Sequence, residues 1–188
     1  MEDPFDVREI HVRQPARLIG GNATYEIFDT GKKLLAVASE AEGRSRFETL
    51  TRQIPGTRVL AVRTAAGEPL LSLVKRDSDW AADLTDPAGT LIGRIRIGAT
   101  RRTYTLLDGQ ERVVGEAVGD LAVKTFSVSG AEGARIGEVR KTWAGLRKEL
   151  LTSSDHYTVK FSGRVPPPAR MLTVMMTIVL DLARWGPD

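Results

Sequence analysis

Six cations in the middle of the chain are the residues best suited to a chemical role: Lys75 and Arg76, Arg94 and Arg96, Arg101 and Arg102. They fall at the ends, or on the polar face, of what read as neighbouring β-strands. If those strands are adjacent, the six can gather into one patch able to hold lipid phosphates. Such a patch is worth about 1 kcal/mol per residue at an anionic leaflet. The same residues also suit the ordinary polar face of an antiparallel sheet, where arginine blunts edges. Sequence leaves both readings open. A single-strand nucleic-acid platform interleaves aromatics with its cations. Only Tyr104 is near, so no nucleic-acid partner is expected.

Other chemistry has little to work with. His11 and His156 are the two histidines. Asp155 precedes His156 directly, and neighbours on a strand point to opposite faces, so they make no dyad. Asp77-Ser78-Asp79 could offer two metal ligands, but between two hairpins it reads as a solvated turn. Gly20-Gly21 leads into a hairpin and so is no phosphate cradle. There is no G-x-S-x-G, P-loop or H-E-x-x-H pattern. With no cysteine, disulfides, thiolate metal sites and a cysteine nucleophile are excluded. We expect no catalytic residue, no metal site and no cofactor.

Composition sets the frame for these residues. The 188 residues are 41% hydrophobic and 27% charged, ordinary for one globular domain. A chain this long can bury roughly 70% of its unfolded surface in one core. The net charge of +3 is mild. The start, M-E-D-P-F-D-V-R-E, carries no basic and apolar signal-peptide pattern, so a cytoplasmic protein is expected.

The elements that must position the cations are hairpins. Residues 1–16 read as a charged lead-in with at most an edge strand near Ile10–Val12, and residues 17–188 as one barrel domain. Five strand–turn–strand units follow: Tyr25–Ala38, Val59–Arg76, Trp80–Ile97, Thr103–Val118 and Lys124–Thr142. Each turn holds Gly where a positive φ is expected, with Asp or Pro in most of them to start the bend. Leu91, Ile95 and Ile97 alternate with Arg94 and Arg96, the period of a half-buried strand. A late strand, His156–Phe161, brings the count to about twelve. Arg44–Gln53 reads as a short amphipathic helix stopped by Pro55-Gly56, and Leu146–Ser153 as a helical turn or irregular strand.

The stretch Pro166–Trp185 is different in kind. Its middle, Met171–Leu180, has ten residues without a charge and is apolar all round. Such a helix is buried on every side, in a core or in a bilayer. A spanning helix needs about 20 apolar residues, and runs of 10–14 are more often core. No transmembrane span is expected. A barrel of about twelve strands has room inside that its own side chains do not fill. The expected fold class is therefore mainly β: a closed antiparallel barrel around a central hydrophobic C-terminal helix, with Arg170 at one mouth and Asp181, Arg184 and Trp185 near the other.

Tyr25, Ile27, Asp29 and Gly31, then Lys141, Trp143, Gly145, Glu149, Asp155, Val159, Phe161 and Asp181, together resemble the phospholipid scramblase family and its LURP-one-related cousins. The resemblance runs from about Tyr25 to Trp185. It implies the Tubby C-terminal-like fold, twelve strands around a hydrophobic helix. The proline-rich N-terminal region and palmitoylated cysteines of animal scramblases have no counterpart in this sequence. The stretch matching their proposed Ca²⁺ segment, S-S-D-H-Y-T-V-K-F-S-G-R, holds Asp155 as its one carboxylate. Calcium takes several oxygen ligands. The resemblance implies a non-enzymatic barrel that associates with anionic phospholipids at the membrane surface, linked to transbilayer lipid movement. The alternative is a soluble protein-interaction or regulatory module with no lipid activity, its protein partner unspecified.

Overall fold

The computed structural model describes residues 3–15, 23–40, 56–143 and 155–183. Arg44–Gln53, Leu146–Ser153, Gly20-Gly21, Arg184 and Trp185 lie outside them. Twelve strands are present: β1 (Glu9–Arg13), β2 (Thr24–Asp29), β3 (Leu34–Glu40), β4 (Thr57–Thr64), β5 (Pro69–Arg76), β6 (Ala81–Thr85), β7 (Leu91–Ile97), β8 (Thr103–Asp108), β9 (Val113–Gly119), β10 (Thr125–Gly130), β11 (Arg135–Trp143) and β12 (Asp155–Phe161). Each pairs antiparallel with its neighbours in sequence, and β1 pairs with β12, which closes the barrel. The five hairpins fall where the turn residues place them.

β1 is not an edge. It lies between β2 and β12, with Ile10 opposite Val159 and Asp29. Ile10 and Val12 point inward and are buried. The residues before it also do more than lead in: the Phe5 side chain is fully buried.

The C-terminal helix α1 (Pro167–Leu182) is the barrel's inner pillar, packed against β5, β7, β8, β9 and β12. Two prolines in its first turn fit because the missing N–H groups would have no helical partner there. Every side chain from Leu172 to Ala183 is buried. Thr173 and Thr177 are tolerated because their hydroxyls donate back to Ala169 O and Val174 O, each at 2.7 Å. Gly93 on β7 lets the wall come close to the pillar. A Cβ there would lie 2.9 Å from Leu172 Cδ2 and from Leu107 O.

Both charges on α1 are buried and satisfied. Arg170 donates to Phe5 O (3.0 Å) and Val7 O (3.2 Å) and pairs with Asp6 (2.9 Å), tying the N-terminal segment across one mouth. Asp181, expected near the opposite opening, is 2% exposed and accepts from the Tyr25 hydroxyl at 2.6 Å. A buried carboxylate needs such a charge-assisted bond. The Tyr25–Asp181 contact joins β2 to the far end of the pillar.

Met176 sits at the centre of the pillar with no exposed surface. Met176→Asp puts an unpaired charge there and should cost about 4 kcal/mol or more. Loss of cooperative thermal unfolding by circular dichroism is the expected result. A variant that melts like the wild type would mean the helix is not inside.

Candidate functional site

Chain direction sorts the barrel into two unlike ends. β12 runs toward the end where α1 begins, so the helix enters at that mouth and leaves at the other. The entry mouth carries five turns of one design. At Asp29–Lys33, Thr64–Glu68, Asp86–Thr90, Asp108–Arg112 and Gly130–Ala134, the first N–H donates to the fifth carbonyl and the fourth N–H to the first. Each is followed by a bulge in its trailing strand, where Leu35, Leu70, Ile92, Val114 and Ile136 are the extra residues. This is the hairpin in which a type I turn is followed by a left-handed residue. Asp29, Asp86 and Asp108 brace it by accepting backbone N–H groups of their own turns.

The glycines predicted to hold the positive φ do so at Gly67, Gly89 and Gly133. In the first and fourth turns the left-handed residues are Lys32 and Glu111 instead. Gly109 is needed for another reason, since a Cβ there would lie 2.5 Å from Leu91 O.

At the exit mouth the described turns β7–β8 and β9–β10 are one residue longer, closed by Gly98 N–H to Thr103 O and Asp120 N–H to Thr125 O. Their left-handed residues are Arg101 (φ 56°) and Val123 (φ 53°), where glycine would be easiest. For a β-branched valine this is a real backbone strain.

The six cations divide across the barrel wall. Lys75 continues the inward series Leu71, Leu73 and is 6% exposed. Its ammonium donates to Asp79 O (2.6 Å) and to Arg76 O. Burial pushes it below the ordinary lysine range; Asp77 and Asp79 oppose that shift, and Arg58 and Arg101 add to it. Arg76 and Arg94 are on the outer face and are taken by carboxylates. Arg76 pairs with Asp79 (3.2 Å), and Arg94 with Asp83 (2.6 Å) and Glu111 (2.7 Å). The hydrogen bonds from Arg76 and Ser78 hold Asp79 below the usual carboxylate range.

Arg96 is exposed on the outer face, at the register position of Ala81. Arg101 lies over the Trp80 ring (5.8 Å) and has no ion pair among the described residues. Arg102 donates to Gly119 O (3.3 Å), and its Nε is buried without a partner among the described residues. Arg96 near the end of β7 and Arg101 and Arg102 in the β7–β8 turn thus lie toward the exit end of the barrel, while Lys75 turns inward and Arg76 and Arg94 pair on the wall.

Sequence reasoning passed over the apolar members of this rim. Trp80 (51% exposed) precedes β6, and Leu121 (88% exposed) is in the β9–β10 turn, with half-exposed Val118 beside it. The Arg102–Gly119 bond links the middle turn to the one bearing Leu121. A tryptophan or leucine next to Asp79 or Asp120 in a turn was the available signal. Two hollows open inside the rim. One of about 170 Å³ is lined by Lys75, Asp77, Asp79, Trp80 and Arg101, among others. Its neighbour, about 270 Å³, is lined in part by Arg101, Lys141, Tyr157, Phe126 and Leu180.

A family model described as Scramblase matches residues 21–185. The chain belongs to the scramblase family. No curated protein matches it. The family places it with lipid-related, scramblase-like proteins, in keeping with the resemblance carried by Tyr25 and Asp181. Among the described residues no helix is long and apolar enough to cross a membrane. None of the described His, Asp and Glu residues cluster in threes that could hold a metal ion.

The depressed Lys75 gives a pH test. Its folded pKa lies below its unfolded one, so between the two the unfolded chain binds more protons. Stability therefore rises with pH across that window and is flat below it. By ¹³C NMR the Lys75 Cε should titrate below the ordinary lysine range, and Lys75→Met should remove the slope. A midpoint within that range would show that the ammonium is not desolvated.

Proposed function

We propose that the protein is a non-enzymatic, peripheral lipid-surface protein that docks on anionic phospholipid, at the cytoplasmic face, through the exit mouth of its barrel. The observation that carries this is the juxtaposition at one rim of exposed Trp80 and Leu121 with Arg96, Arg101 and Arg102. Tryptophan favours the headgroup level, where its apolar body and N–H are both accommodated. Cations beside it would meet lipid phosphates at about 1 kcal/mol each. Burying a leucine adds about 1.5–3 kcal/mol. A total of that order gives weak, reversible binding in the millimolar to micromolar range. Docking by this end would stand the strands on the membrane and keep the entry mouth, with its Asp-braced turns, in water.

Of the six cations, the exit-rim group is assigned to lipid phosphate, with Lys75 behind it. Arg76 and Arg94 have carboxylate partners already and would contribute less. Family membership supports reading transbilayer lipid movement as the process this docking would serve.

The test is co-sedimentation with phosphatidylserine and with phosphatidylcholine vesicles. Preferential binding to the anionic vesicles, weakening with salt, is expected, and Trp80→Ala combined with Leu121→Ala should reduce it about ten-fold. Equal, negligible binding to both would sink the reading. A fluorescent-lipid flip assay that stays flat after reconstitution would remove lipid movement alone.

A further inference from the structure

The larger hollow at the exit mouth has a chemical character that surface docking does not require. Its lining combines two cations, Arg101 and Lys141, with the apolar side chains of Val123, Phe126, Leu180 and Ala183, and none of its described lining residues is a carboxylate. Its neighbour differs in just this respect, since Asp77 and Asp79 line it. The floor is rigid. Phe126 packs edge-on against Tyr104 at 5.6 Å, and Leu180 belongs to the pillar. Lys141, 7% exposed, lies over the Tyr157 ring at 5.4 Å.

Arg101 is the member that reads as a receptor. It is half-buried, it touches both hollows, and its guanidinium has no carboxylate partner among the described residues. Two other arginines are matched, Arg94 in the wall by two acids and Arg170 on the pillar by an acid and three carbonyls. A guanidinium left unmatched in a partly desolvated place is disposed to take an oxyanion from outside the chain. It is also held there at a backbone cost. Arg101 and Val123, the two left-handed non-glycine residues among those described at this mouth, both line the hollow. Residues kept in such conformations collect at binding sites.

We propose that this hollow binds a single-chain anionic amphiphile, with its phosphate or carboxylate head on Arg101 and Lys141 and the first carbons of its tail on Phe126, Val123 and Leu180. Size agrees with a head and a short length of chain. Ligand pockets begin at about 300 Å³, and this one of about 270 Å³ adjoins a second of about 170 Å³ across Arg101 and Ala183. The idea extends the docking reading, because a membrane met by this mouth would present such molecules to it. Its test needs no membrane.

Octyl phosphate, kept below its micellar concentration, is titrated into the protein by calorimetry, with inorganic phosphate and octyl glucoside as separate arms. Octyl phosphate should bind one-to-one and about ten-fold more tightly than either arm, since each arm offers only the head or only the tail. Arg101→Gly suits the positive φ, so it should melt no lower than the wild type while weakening octyl phosphate about ten-fold. Lys141→Met, which keeps the stem over Tyr157, should weaken it too. Absence of one-to-one binding would overturn the proposal, as would unchanged affinity in Arg101→Gly. Inorganic phosphate binding as tightly would reduce the site to a plain anion site. Vesicle binding that persists while octyl phosphate fails removes the hollow alone; the converse removes surface docking alone.

Discussion

A closed sheet of twelve strands encloses more room than its own inward side chains fill, and the burial of α1 in that room is the constraint on which the rest of the structure depends. It dictates Gly93, where any Cβ would collide with Leu172. It dictates the back-bonded hydroxyls of Thr173 and Thr177, since an unpaired hydroxyl in that setting costs about 1–3 kcal/mol. It also dictates how the pillar is anchored at its two ends. Arg170 is received by the carbonyls of Phe5 and Val7, and Asp181 by the hydroxyl of Tyr25. Wall and pillar are therefore mutually necessary. Without the helix the barrel is hollow, and without the barrel the helix exposes an apolar surface on every side.

How legible this was depends on which physical signal each part leaves in the sequence. The pillar announces itself, because ten consecutive residues without charge cannot face water. The hairpins do so as well, because a tight turn draws on few residue types. The αL positions are harder, since the bulged turn fixes which residue is left-handed by its place in the turn. Lys32 and Glu111 hold that place while Gly31 and Gly109 sit elsewhere in the turn. β1 was undervalued because closure is not local. Ile10 and Val12 alternate as any strand does, and nothing near them in sequence says that Val159 and Tyr157 lie opposite.

The six cations illustrate a subtler limit. That their strands lie close together was readable from the hairpins, yet proximity along a wall does not place side chains on one side of it. Lys75 keeps the parity of Leu71 and Leu73 and so turns inward, whereas Arg94 and Arg96 take the opposite parity to Ile95 and Ile97. That much the period of two contains. What it lacks is the identity of the counter-charges. Asp83 is opposite Arg94 by register, and Glu111 reaches it from the β8–β9 turn. The sequence shows how many cations there are; the pairing decides which of them retain an open valence toward a ligand.

Pairing also explains why the two mouths have different prospects. At the entry end, short turns, acceptor aspartates and the Arg170-tied N-terminal segment consume backbone donors and close the opening with Phe5. At the exit end the described turns β7–β8 and β9–β10 are longer, and their left-handed positions are occupied by an arginine and a valine in place of glycine. Glycine would relieve the strain at both. Its absence keeps a guanidinium and an apolar side chain at the lip of the same hollow, next to an exposed tryptophan. A barrel whose stability were its sole requirement would gain by the exchange at either position. Keeping both side chains against that gain is the pattern of a site whose requirement is set by what it meets outside the chain.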